Sequence, residues 1–284
     1  MLLKTGWLRY LWKERKPFFL RQAFRMAFLH KTPFRSLLDN ILGLVEEFQA
    51  GFTFPIVASA ALRNPETVRL ILDFHQEVAS HGFNHVNYRY LPPKAERMDI
   101  GNSLSAFRNL SIPVRGFRAP YNVCTDQTPR LLEELGFLWE GSLGLRSPHC
   151  DERSFFRVHV DGHMSSFTCT PMFKWSDDRM MDIYGLSNRQ MARILKRALQ
   201  QTEEKSGVIM FDLHPVRMGQ PNHIDVLREV IGYGMQRNGW FPRVTEAVEY
   251  WERNHKWKNG ASYCCLLTGD IDSLTLLDYL SRLF

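Results

Sequence analysis

The chain has 284 residues, 44% of them hydrophobic and 13% aromatic, with a formal net charge of +6; this supplies enough apolar side chain for a sizeable core and excludes a disordered polymer. Five cysteines, odd in number and without a repeated Cys-x-x-Cys spacing, exclude a disulfide framework and a zinc finger and are expected to be free thiols in a reducing, cytoplasmic setting. No run of 18 apolar residues occurs and basic residues arrive too early for a signal-peptide core, so neither a membrane span nor secretion is expected.

The positive charge belongs to one end. Residues 1–35 hold nine Lys or Arg against Glu14 alone, which leaves the other 249 residues at about −2. Leu3, Trp7, Tyr10 and Leu11 follow helical spacing, Pro17 interrupts it, and Phe18 to Phe28 resume it with Arg21 and Arg25 interleaved. Residues 1–31 are therefore read as a basic amphipathic helical segment ahead of a single domain over residues 32–284. Its helices either pack on the body with a solvated basic face or contact an anionic membrane surface or lipid-linked substrate, peripherally to the membrane. Nucleic acid is not an expected partner, because no binding motif accompanies the patch.

From Thr32 the chain alternates between helix and strand. Thr32 is a candidate cap and Pro33 a candidate first residue for a helix whose Leu37, Leu38, Ile41, Leu42, Val45 and Phe48 form an apolar face, closed by Gly51. A strand over Phe52 to Val57 follows, then a helix capped by Asn64 and opened by Pro65, then a short strand ending at Ser80. After it come a helix over Lys94 to Leu110, a strand from Val114 to Phe117, a helix from Thr128 to Leu135 and a strand around Phe137 to Gly141. Arg157 to Phe173 reads as extended structure covering an edge. The remainder predicts helices at Asn188 to Glu204, Ile224 to Arg237, Thr245 to His255 and from Ser273, with strands at Val208 to Leu213, Trp240 to Val244 and Ser262 to Thr268. About seven strands alternating with helices, and no Gly-x-Gly-x-x-Gly loop, favour an α/β fold of the (β/α) barrel type over a dinucleotide-binding sheet.

Barrel enzymes keep their chemistry where strands end, and four strand ends here are rich in polar groups. The first is His81-Gly82-Phe83-Asn84-His85, where a single helical turn from Gly82 would return His85 over His81. Such a pair suits a divalent metal, though it equally describes a surface pair or a satisfied core histidine. The others are Arg118-Ala119-Pro120-Tyr121, Asp212-Leu213-His214-Pro215 and Thr268-Gly269-Asp270-Ile271-Asp272. Each has an innocent explanation as a turn or a helix cap; their joint placement does not.

These residues resemble the polysaccharide deacetylases of the NodB-homology type, the family 4 carbohydrate esterases, from Gly51 to about Tyr250. His81-x-x-x-His85 is similar to the family's metal motif, Arg118 to Tyr121 to its Arg-x-Pro-Tyr motif, and Leu213-His214-Pro215 to its Leu-His-Pro motif. The opening strand with its aspartate pair is missing, since Ala27 to Lys31 contains no aspartate, whereas Cys264 to Asp272 resembles that strand at the other end of the chain. The implied fold is a circularly permuted, distorted NodB-like barrel.

The resemblance implies a site in which Asp272, His81 and His85 hold a divalent metal, most readily Zn2+, with Co2+, Ni2+ or Mn2+ as substitutes. Asp270 is then the general base, oriented by Arg118, and His214 the acid for the leaving amine. The backbone near Tyr121 and Pro120 holds the oxyanion, and Asp212 either orients His214 or, as a strand residue, faces another partner. The family's remaining aspartate and tryptophan motif has no assigned position, with Trp175, Asp177 and Asp178 in its interval. The implied activity is metal-dependent removal of an N-acyl group, foremost N-acetyl, from an amino sugar. A C–N hydrolase of small non-sugar amides and a non-catalytic carbohydrate-binding barrel are the alternatives.

Overall fold

The computed structural model describes residues 31–275 and 278. Its strands in chain order are β1 (Thr53–Ile56), β2 (Glu77–Ser80), β3 (Gly116–Phe117), β4 (Trp139–Glu140), β5 (His159–Val160), β6 (His163–Met164), β7 (Thr168–Cys169), β8 (Val208–Asp212), β9 (Gly239–Trp240) and β10 (Tyr263–Thr268). All but β5 and β6 join one sheet in the order β7-β4-β3-β2-β1-β10-β8, with β9 alongside β10, and every pairing in it is parallel. The sheet curls until its ends approach: Met172, just past β7, pairs with Met210 of β8, the Phe173 N–H donating to the Met210 carbonyl at 2.8 Å. This is a distorted (β/α) barrel, as expected from the alternation.

Burial on both faces explains why β8 and β10 read as unbroken apolar runs rather than as alternating patterns. The period of two still separates their faces. Val208, Met210, Cys264 and Leu266 point inward with Ala79 and Trp139, whereas Ile209, Phe211, Cys265 and Leu267 point outward against helices Phe34–Glu47 and Asn188–Glu204. Continuing the inward series places Asp212, Thr268 and Asp270 at the mouth of the barrel.

Several local expectations are corrected. The first helix, Phe34–Glu47, has Pro33 rather than Thr32 at its N-cap and no side-chain cap; Thr32 instead reaches Gln220. Asn64 does precede a helix, Pro65–Asp73, but its side chain donates back to the Ala60 carbonyl of an unexpected helix, Ala58–Arg63. Residues 157–173 do not merely cover an edge: β5 and β6 form a hairpin and β7 is itself the edge strand. The strand expected to run to Val244 stops at Trp240, because Val244 begins helix Val244–Asn254. The basic segment 1–30, and most of the helix expected from Ser273, lie outside the described residues. Among the described residues no helix is long and apolar enough to cross a membrane.

Candidate active site

The four polar strand ends meet at one mouth. β2 delivers His81, whose N–H extends the ladder to the Ile56 carbonyl at 3.0 Å, and β3 delivers Arg118, whose N–H bonds the Ser80 carbonyl at 2.9 Å. Past β10 the chain keeps to β1, the Gly269 and Ile271 amides donating to the carbonyls of Thr53 (3.2 Å) and Pro55 (2.8 Å). Asp270 and Asp272 are thereby carried beside His81. Contrary to expectation the connection from His81 to His85 is a bend, not a helical turn, and Gly82 within it has φ +73°. The rings nevertheless come to 5.0 Å, centroid to centroid.

Asp272 Oδ1 lies 3.4 Å from His81 Nε2 and 3.3 Å from His85 Nε2, and His81, His85 and Asp272 each offer one donor atom within 4.8 Å of the others. His81 Nδ1 donates to the Arg118 carbonyl at 2.9 Å, which turns Nε2 inward. That Nε2 atom is buried and makes no hydrogen bond among the described residues. Burial opposes a charge on His81, yet Asp270 and Asp272 outweigh it and raise its pKa above the ordinary histidine value. The cluster therefore attracts positive charge. Two neutral imidazoles and one carboxylate around a shared point fit a divalent cation with open positions.

Arg118, fully buried, is the cation between the carboxylates. Its Nη1 donates to Asp270 Oδ1 at 2.8 Å and to Asp212 Oδ1 at 3.0 Å, and its Nη2 to Thr268 Oγ1 and Met210 Sδ, both at 2.7 Å. Burial and the nearby Asp270 push Asp212 up to about 7, against the pull of His214 and Arg118. Of the two roles weighed for Asp212, its hydrogen bond goes to Arg118, in keeping with its inward strand position, while its charge still acts on His214. His214, past the strand end, turns instead to Asp177, donating from Nδ1 to Oδ1 and from its backbone N–H to Oδ2, each at 2.6 Å. Asp177 is fully buried. It lies in the interval left unassigned above, and only the tertiary fold selects it over Asp178.

Tyr121 takes a left-handed conformation, φ 60° and ψ 13°, just after the buried Pro120, and its ring packs 4.4 Å from His85 with 45% of the residue exposed. The segment is secured from behind. The Ala119 N–H donates to Ser142 Oγ at 2.7 Å, and buried Glu140 accepts the Ser142 and Leu143 amides at 2.5 and 2.9 Å. Neither Glu140 nor Ser142 is distinguishable in the sequence from ordinary strand-end residues.

The class defined by this fold is a parallel α/β barrel whose mouth, at the C-terminal strand ends, gathers two imidazoles, three carboxylates, an arginine and a separate carboxylate-held histidine. Residues 31–138 match the family model for polysaccharide deacetylase. The fold agrees: a probable polysaccharide deacetylase from Pseudomonas aeruginosa superposes with a TM-score of 0.70 at 23% identity, covering 83% of this chain and 79% of that one. The Puue allantoinase gives 0.70 at 22%, covering 83% and 78%. A family 4 carbohydrate esterase pseudoenzyme from Bacillus anthracis gives 0.54 at 14%, covering 83% and 66%. No curated protein matches the sequence.

Proposed function

We propose that this protein is a metal-dependent hydrolase that removes an N-acyl group, foremost N-acetyl, from an amino sugar or sugar-containing substrate. The carrying observation is the approach of Asp272 Oδ1 to within 3.4 Å of His81 Nε2 and 3.3 Å of His85 Nε2, three donors from two distant parts of the chain. Those residues would hold the metal, foremost Zn2+, which when bound polarises the acyl carbonyl and acidifies water. Asp270 takes the proton of the attacking water, and Arg118 orients it. His214, held charged by Asp177, returns a proton to the leaving amine nitrogen. The backbone at Tyr121 faces the developing oxyanion.

The domain of this reading is residues 32–284, with residues 1–31 appended, and its first strand has moved to the C-terminus. Support for the permutation comes from β10, which runs parallel between β1 and β8 and brings two aspartates past its end to the His81 turn.

The test is metal content and product release. Purified protein should contain about one equivalent of Zn2+ or a substitute by elemental analysis, and His81→Ala and His85→Ala should each lose it while still folding and unfolding cooperatively, at a lower thermal midpoint. Acetate release from N-acetylated amino sugars should disappear with the metal. Turnover of small linear or cyclic amides alone would shift the substrate class to non-sugar C–N bonds. A metal-free protein that binds sugar without turnover would establish the binding barrel instead.

A further inference from the structure

The bend from Gly82 to His85 has no helical hydrogen bonds, so its shape must come from elsewhere. His81 is fixed by the sheet, whereas His85 lies beyond the ladder at the far end of the bend, its ring against Tyr121. One side of the bend is docked by its carbonyls, Gly82 O accepting from the Ala58 N–H and Phe83 O from the Ser59 N–H, both at 3.0 Å. The opposite side is held by a carboxylate. Asp99, on helix Pro93–Asn109 and only 3% exposed, accepts the Phe83 N–H on Oδ2 at 2.9 Å and the Asn84 N–H on Oδ1 at 3.0 Å. Its Oδ2 also accepts the Tyr88 hydroxyl at 3.0 Å. Two successive amides converging on a carboxylate form a compact anion cradle.

Gly82 makes room for this arrangement. A Cβ there would stand 2.7 Å from Asp99 Oδ2 and 2.8 Å from the Tyr88 hydroxyl, in a backbone conformation that L side chains rarely adopt. The glycine thus serves the carboxylate as well as the turn.

We infer that Asp99 is a positioning residue that sets the spacing of His81 and His85, which rests on the reading of that pair as metal ligands. It acts through the backbone of Phe83 and Asn84, and its charge also bears on His81. With Asp99 in place the second histidine is ordered before the cation arrives; without it, binding has to order the bend. Outer partners of this kind contribute about 10–100-fold in metal affinity.

The experiment compares wild type with Asp99→Ala, Asp99→Asn and Tyr88→Phe. Zn2+ affinity is measured by chelator competition, amide exchange at Phe83 and Asn84 in metal-free protein, and the electronic spectrum of the Co2+ forms. Asp99→Ala should weaken Zn2+ by about 10–100-fold, speed exchange at both amides and alter the Co2+ spectrum. Asp99→Asn, which keeps one acceptor oxygen, should fall between it and wild type, and Tyr88→Phe, which leaves both amide bonds, should stay within about threefold of wild type. A thermal midpoint for each variant separates a loosened bend from a lost fold. Equal Zn2+ affinity and an equal Co2+ spectrum in Asp99→Ala would overturn the inference, as would unchanged exchange at both amides. Wild-type protein that takes up no Zn2+ would instead overturn the metal reading, and exchange in the metal-free variants would still decide whether Asp99 holds the bend.

Discussion

Charge at the mouth is divided between two cations. Arg118 serves Asp270 and Asp212, whereas His214 is paired with Asp177. Burial alone would strip the proton from His214, but Asp177 and Asp212 overcome it and hold the imidazole well above its ordinary pKa. Folding therefore takes up a proton here. The stability this contributes is complete below about 6.5, the unfolded value, and is lost as pH rises through the folded value. Asp177→Asn removes the main carboxylate responsible, so the His214 titration followed by NMR in metal-free protein should move to lower pH. The stability contributed by the bound proton should be smaller and should be fully lost at a lower pH, and the basic limb of the activity profile should move to lower pH with it. An unchanged His214 titration in that variant would show that Asp177 orients the ring without setting its charge.

At the scale of elements, strands β3 and β4 meet through one glycine and one tryptophan. A Cβ on Gly116 would come within 1.8 Å of the Trp139 ring. The ring has little room to move, since its Nε1 donates to Glu77 Oε1 at 3.2 Å and to Thr245 Oγ1 at 3.0 Å. Gly116→Ala should destabilise the protein by about 1–3 kcal/mol, typical of overpacking a filled interior, read as a fall in thermal midpoint. Trp139→Phe in the same chain should restore part of the loss; a wild-type midpoint for Gly116→Ala alone would mean that the ring yields freely. The same elements show what could be read beforehand. Helix Asn188–Glu204 and strand β8 were legible because helical spacing and an unbroken apolar run survive burial. Thr32 failed as a cap because nothing local distinguishes it from a residue that bonds Gln220 across the fold. His81, Arg118, His214 and Asp270 were legible from their places at strand ends. Asp99 and Asp177 were not, because each acts through a contact between segments that no periodicity encodes.

The whole molecule turns on the last strand. β10 pairs with β8 over five residue positions, and with β9 at its start and β1 at its end, while all six of its residues are buried. It joins the sheet between β1 and β8, elements about 155 positions apart, so the loop-closure cost of placing it is nearly the same whether it enters from the C-terminus or the N-terminus. A truncated chain ending at residue 261 should lose the carboxylates of Asp270 and Asp272 and leave β1 and β8 as open edges, so it should aggregate rather than fold. Moving residues 261–284 ahead of Met1 through a long flexible linker returns every one of those pairings. This rearranged full-length chain should remain soluble, unfold cooperatively and bind the same number of metal equivalents as the parent. A truncated chain that folds and keeps its metal would remove β10 from the site. Failure of the rearranged chain to fold would show that the C-terminal origin of β10 is a requirement of this fold, and the permutation reading would fall with it. Survival of the rearranged chain beside collapse of the truncated one is the expected result, because a barrel mouth is specified by which strands are neighbours and in what register, not by the order in which the chain visits them.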